Sequence, residues 1–241
     1  MKIVNLLKYQ LQTYFKGSSF IMPFVVTAIC MCVMYSVKPA EIIGSYLISG
    51  VIIFFVMVWI GMTAAHNERI VEEQILYLRM ENSVSYYCGK FLFLFCIALL
   101  LDVIYTFFPV ISNMINGYAL FTERLGTFEV INAFILQLGT ALLGGSVGNL
   151  LHPRIMRDRK LAIVITVLVV VISIAIPVLE QQCPILKLFL WIFPPVVLPA
   201  EIYGKAVVFN LNQTFLIFIT MLAYTAVYAG IKGLLCSRKR W

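Results

Sequence analysis

Long apolar runs separated by short polar joints make up nearly the whole chain. Six of them, at about 20–37, 42–65, 91–111, 130–151, 161–179 and 211–235, approach the roughly 17–25 residues that a helix needs to cross a bilayer. Residues 1–17 differ: Ile3, Leu7, Leu11 and Tyr14 share one helical face, and Lys2, Asn5, Gln12 and Lys16 lie on others. That pattern predicts an amphipathic helix lying in the headgroup plane. The longest polar joint is 66–90, between the second and third runs. Within it Arg69 precedes Glu72 and Glu73 by a helical turn, and Val71, Ile75 and Leu78 form one stripe. The spacing predicts a short helix over 68–80, a break near Asn82-Ser83 and a second helical start. A second irregular joint is 180–210. Its apolar core, 185–193, is too short to cross and is followed by Pro194, Pro195 and Pro199. A short bent structure at the outer boundary is expected there, over 188–197, of the re-entrant or interfacial kind.

Composition places the chain in the membrane class. It has 241 residues, 62% hydrophobic and only 12% charged, with a mean hydropathy of +0.97. Soluble domains carry about 25% charge. The reading is an all-α polytopic membrane protein of one transmembrane domain over 1–241, with no room for a separate soluble domain. The net charge of +7 follows the membrane rather than nucleic acid. Fourteen of the eighteen Lys and Arg residues fall at the N-terminus, in 66–90, in 152–160 and from Lys232 onward. Positively charged joints stay inside, so both termini and the central joint are expected in the cytoplasm.

Candidate chemistry is sparse. No phosphate-binding loop exists, because Val84 and Pro199 stand where the first glycine before Gly89-Lys90 and Gly204-Lys205 would be needed. Neither a metal-ligand spacing nor a hydrolase signature is present, so no catalytic residue, metal or cofactor is assigned to the chain. Asp102 is the one acid inside a run. It reads either as a substrate or proton site or as a hydrogen-bonded acid facing the bundle, with Tyr105 or Gln137 as partner; these three are the candidate pathway residues. Gly144-x-x-x-Gly148 matches a close helix-packing motif. Trp191, Pro194 and Pro195 are candidate exit-gate residues.

The ordered pattern of elements resembles the membrane subunits of type-2 ABC exporters, and the small six-span bacterial peptide and drug exporter permeases in particular. Glu72-Glu73, Ile75-Leu76 and Gly89-Lys90 fit the loop of that family between its second and third spans. Gln74-Ile75 stands where the family has Gly-Thr, and no proline precedes Val84-Ser85. The resemblance implies an N-terminal elbow helix, a cytoplasmic coupling helix and short exoplasmic re-entrant helices. It implies a multi-pass protein of the bacterial plasma membrane that pairs with a second permease subunit, identical or not. Two copies of a separate ATPase, which hold ATP and Mg, would drive export of an amphipathic substrate such as an antimicrobial or toxin-like peptide. Glu68, Arg69, Val71, Glu72, Glu73, Ile75, Leu78 and Arg79 would be the ATPase-coupling residues. The alternatives are a drug- or lipid-exporting permease of the same kind and a secondary transporter built on Asp102.

The charge distribution makes a direct prediction. Reporters fused after Trp241 or placed within 152–160 should report the cytoplasm, and those at Asn116-Gly117 or Gln181-Gln182 the outside. An external signal from the C-terminal fusion would overturn the orientation.

Overall fold

The computed structural model describes residues 2–67, 70–80, 83–153, 155–156, 158–204, 206 and 208–238. The expectations for Glu68 and Arg69, and for the side chain of Val71, lie outside the described residues.

Among the described residues ten α-helices run in chain order: α1 Lys2–Lys16, α2 Ile21–Met34, α3 Ile42–Asn67, α4 Ile70–Arg79, α5 Ser83–Ile115, α6 Thr127–Gly148, α7 Arg159–Gln182, α8 Lys187–Leu190, α9 Leu198–Tyr203 and α10 Leu211–Arg238. Among the described residues the only β pairing is an isolated bridge between Ala40 and Phe121. Five helices (α3, α5, α6, α7 and α10) are long and apolar enough to cross a membrane. The first apolar run departs from expectation. Its helix α2 has 14 residues and ends at Met34. At about 1.5 Å per residue it falls short of a ~30 Å hydrocarbon core. It reaches crossing length only when joined to α1 through a 75° bend. That bend falls at Gly17 and the Ser18–Phe20 turn.

The interior is built on α6, whose last turns are almost wholly buried. Glycine is the cause. A Cβ on Gly144 would stand 2.5 Å from the Phe54 carbonyl oxygen, and one on Gly61 would stand 2.5 Å from that of Gly145. A Cβ on Gly148 would collide with the Val58 carbonyl. Phe54 and Val58 are one turn apart on α3, so the glycine pair accepts consecutive rungs of that helix. On its other side α6 meets α10, where Gly139 faces Phe218 and Met221. α5 covers a third side through residues such as Leu94, Ile97 and Leu101.

Two faces follow. One carries α1, α4, the 149–158 segment and the end of α10, where Lys232 Nζ donates to Asn149 Oδ1 at 2.6 Å. The opposite face carries α9 and the joints at 35–41 and 116–126, held by Ala40 N donating to Leu120 O at 2.9 Å and Thr122 N donating to Ala40 O at 3.1 Å. Long helices outrun the apolar boundaries: α5 continues through Pro109 to Ile115, and α7 through Pro177 to Gln182.

Gly148→Ala forces a backbone contact apart and should cost about 1–3 kcal/mol, as overpacking does. Gly230→Ala, where nothing lies within 4 Å of the new Cβ, should be neutral or stabilising. Thermal unfolding of the two purified variants in one detergent checks the contrast.

Candidate functional site

The chemistry-bearing residues collect in three places. The first is α4 and its seat. This ten-residue helix is apolar on two sides. Leu76, Tyr77 and Met80 face inward against Leu6 of α1 and Tyr86 and Tyr87 of α5. Ile75 and Leu78 face outward and are 51% and 75% exposed. Glu73 shares the inward face and is buried. Its Oε1 accepts from the Tyr86 hydroxyl at 3.2 Å and from Lys90 Nζ at 3.5 Å, and His152 Nε2 lies 3.7 Å away. The Lys90 ammonium also sits 4.8 Å from the Tyr86 ring centroid. One carboxylate thus ties α4 to α5 and to the segment after α6. An isolated buried charge is very costly, and this one is compensated by an opposite charge and a hydroxyl. Glu73 is therefore not on the outward surface with Ile75, Leu78 and Arg79, as a coupling role for its side chain had required. Periodicity explains the division: 73, 76, 77 and 80 share one side, and 75, 78 and 79 the other. Sequence reading missed Tyr86, Lys90 and His152. Their signal was a lysine and a histidine at the boundaries of apolar runs, where an interfacial position was the simpler reading.

Beside α4, α1 opens a groove of ≈ 510 Å³ lined by residues that include Leu6, Tyr9, Glu72, Ile75 and Arg79. Gly89 lets α1 approach here, since a Cβ at that position would stand 2.5 Å from Leu6 Cδ2.

The second place is the polar cluster inside the bundle. Asp102, Tyr105 and Gln137 are all buried. Gln137 Nε2 donates to Ser49 Oγ at 2.5 Å, and the Ser49 hydroxyl donates to Tyr46 O at 2.9 Å. Thr106 Oγ1 donates to Gln137 Oε1 at 2.8 Å and lies 3.4 Å from Asp102 Oδ1. The order of donors is fixed by counting protons. Ser49 has given its proton to Tyr46, so Gln137 meets it with the amide and meets Thr106 with the carbonyl. The single Thr106 proton goes to the nearer acceptor. The contact to Asp102 Oδ1 is the longer and weaker of the two, and Asp102 Oδ2 is buried without a hydrogen-bond partner among the described residues. The partner of Asp102 is thus Thr106, with Gln137 one step further. Gln137 also borders a cavity of ≈ 20 Å³ that reaches Gly50, Val196 and Ala200, room for about one water.

The third place is the joint between α7 and α10. Trp191 is exposed and Pro194 buried. Trp191 and Pro195 line a cavity of ≈ 240 Å³ with Ser173, Glu180, Lys187 and Tyr224. The turn is held from α10: Tyr224 Oη donates to Trp191 O and Tyr228 Oη to Ile192 O, both at 2.6 Å. No group of three or more His, Cys, Asp or Glu residues among the described residues has the arrangement of a metal site. Comparison of the chain with protein-family models, with curated proteins and with solved structures yields no match in any of the three.

Donor order in the interior cluster has a measurable consequence. Asp102→Asn keeps an oxygen acceptor toward Thr106 and should hold stability within about 1 kcal/mol, whereas Gln137→Leu removes two bonds and should cost about 1–3 kcal/mol. Thermal midpoints in detergent check the ranking, which a larger loss in Asp102→Asn than in Gln137→Leu would reverse.

Proposed function

We propose that the chain is the membrane subunit of an ATP-driven exporter of the type-2 ABC kind, with α1 as the elbow helix and α4 as the coupling helix. The observation that carries this reading is α4 itself. A ten-residue helix is marginal alone in water. Here one side is fastened to the chain by the Glu73 contacts and the Leu6, Met80 and Tyr86 cluster. The other side presents Ile75 and Leu78 uncovered. A helix made rigid from behind and apolar in front is suited to receive a partner and pass on its motion. The adjoining α1 groove extends the same surface. The occupant is a separate ATPase subunit that holds ATP and Mg. Glu72, on the α4 surface beside an anionic cytoplasmic leaflet, disfavours the headgroup layer as the alternative cover.

On this reading the α4 face is cytoplasmic, and the transporter is a dimer of permease subunits. The substrate is amphipathic, with peptides of the antimicrobial or toxin type favoured over drugs or lipids on family resemblance alone. A proton-driven carrier is the less favoured reading, because Asp102 is the one acid within the apolar runs and such carriers need a relay of several.

Ile75→Ala with Leu78→Ala tests the proposal. Each truncation removes apolar burial worth on the order of 1–3 kcal/mol in a covered interface. Recovery of the ATPase on tagged permease and substrate-stimulated ATP hydrolysis should both fall sharply, while insertion and folding persist. Full complex and full coupling in the double variant would reduce α4 to a connector.

A further inference from the structure

The joint between α7 and α10 does not stay at the membrane surface. It leaves the α9 face after Gln182, turns at 191–197 and returns through α9. Its depth can be read from α10. That helix runs from polar Asn210 and Asn212 at the α9 face to Lys232, which meets Asn149 at the α4 face. Tyr224 and Tyr228 lie about 20 and 25 Å along it from Leu211, at 1.5 Å per residue. Helical side chains lean toward the N-terminus, which returns their hydroxyls by a few ångströms. The carbonyls of Trp191 and Ile192 that they hold therefore sit near the middle of a ~30 Å core. A separate contact agrees: Val196 and Ala200 border the cavity shared with Gly50, Gln137 and Thr140 in the bundle centre.

The sequence explains why hydroxyls are needed there. A helical carbonyl is answered by the N–H three or four residues on. For Trp191 those residues are Pro194 and Pro195, which have none. For Ile192 they are Pro195 and Val196, and the Val196 N–H donates to Pro194 O at 2.9 Å. Two adjacent carbonyls are thus left without backbone partners at a depth where water does not supply one. Tyr224 and Tyr228, one turn apart on α10, answer both. Little else holds the turn. Among the described side chains from 185 to 192 only Leu190 is buried, and Trp191 is 66% exposed.

We propose that Tyr224 and Tyr228 are positioning residues that latch a movable re-entrant plug at mid-membrane. Released from the two hydroxyls, the 187–193 turn withdraws toward the α9 face, where water satisfies its carbonyls. The α9-face half of the space between α7, α10 and the α3–α6 pair then opens. This device does not depend on an ATPase partner.

Depth-resolved fluorescence quenching tests it. Trp191 is made the sole tryptophan by Trp59→Phe and Trp241→Phe, and the protein is placed in phosphatidylcholine vesicles with quenchers at different chain depths. The parent should be quenched most by the mid-chain quencher. Tyr224→Phe with Tyr228→Phe keeps both rings and should move the maximum toward the headgroups, each single change doing so in part. Adding Pro195→Ala to Tyr224→Phe restores a backbone donor for Trp191 and should return the maximum toward mid-chain. Strongest quenching of the parent near the headgroups would overturn the re-entrant depth. An unmoved maximum in both single Phe variants would overturn the latch, and the singles give this reading even where the double variant fails to fold.

Discussion

Close approach of α3 and α6 is the constraint from which the other arrangements follow. Gly61, Gly144 and Gly148 remove side chains where the two backbones meet, so that carbonyls of one helix occupy the space a Cβ would fill on the other. In lipid no hydrophobic driving force holds helices together, and close packing with interhelical hydrogen bonds replaces it. The approach also sets the register at which Gln137 reaches Ser49. Extended by Thr106 and Asp102, that contact makes α3, α5 and α6 one unit. The acid in the span is thereby tied to the bundle through Oδ1 alone, while its Oδ2 is buried without a partner among the described residues.

The unit in turn fixes the outer elements. α10 lies against Gly139 through Phe218 and Met221, and this places its two tyrosines opposite the 191–192 turn. At the α4 face the N-terminal turns of α5 offer Tyr86, Gly89 and Lys90 along one edge. Gly89 admits α1 through Leu6, while Tyr86 and Lys90 hold Glu73. One helix thereby seats both α1 and α4, and any displacement of α4 acts on the end of a 33-residue rod.

Much of this was legible in the residues, and what was not has a common cause. Uninterrupted apolar runs announced the five long helices, because length and hydropathy are local properties. Helix ends were read short at Ile111 and Leu179, whereas α5 runs on to Ile115 and α7 to Gln182, each past a proline that lipid tolerates when neighbours answer the freed carbonyl. The first run was read as a span although its helix stops at Met34; apolar composition does not reveal where Ser36 to Pro39 turn away. The stripe of Val71, Ile75 and Leu78 was visible, but the inward stripe of Leu76, Tyr77 and Met80 is equally apolar, and only the fold tells which one is covered. The depth of the 191–197 turn was hidden for the same reason: its short apolar run and prolines show that it does not cross, while its position depends on hydroxyls more than thirty residues later in the chain.

A difference in how the elements are attached follows from these contacts. The long helices are joined over many turns by interdigitated side chains, so none can leave without exposing a large packed surface. α4 and the turn beyond α8 are fastened at fewer points, with polar contacts prominent among them: a carboxylate with its lysine and hydroxyl beside the Leu6, Met80 and Tyr86 cluster in one case, two carbonyls with two phenols in the other. A polar contact in a dry setting is strong while geometry is kept and is lost almost at once when partners separate, whereas apolar packing yields gradually. Such fastenings favour two discrete positions over a continuum. Low-stability elements are also the ones that move in gating. The chain thus combines a packed α3–α5–α6 frame with two short elements, one at the α4 face and one within the bundle, each attached to the frame without being part of it. Their separation means that motion at one must pass through α5, α6 and α10 to reach the other.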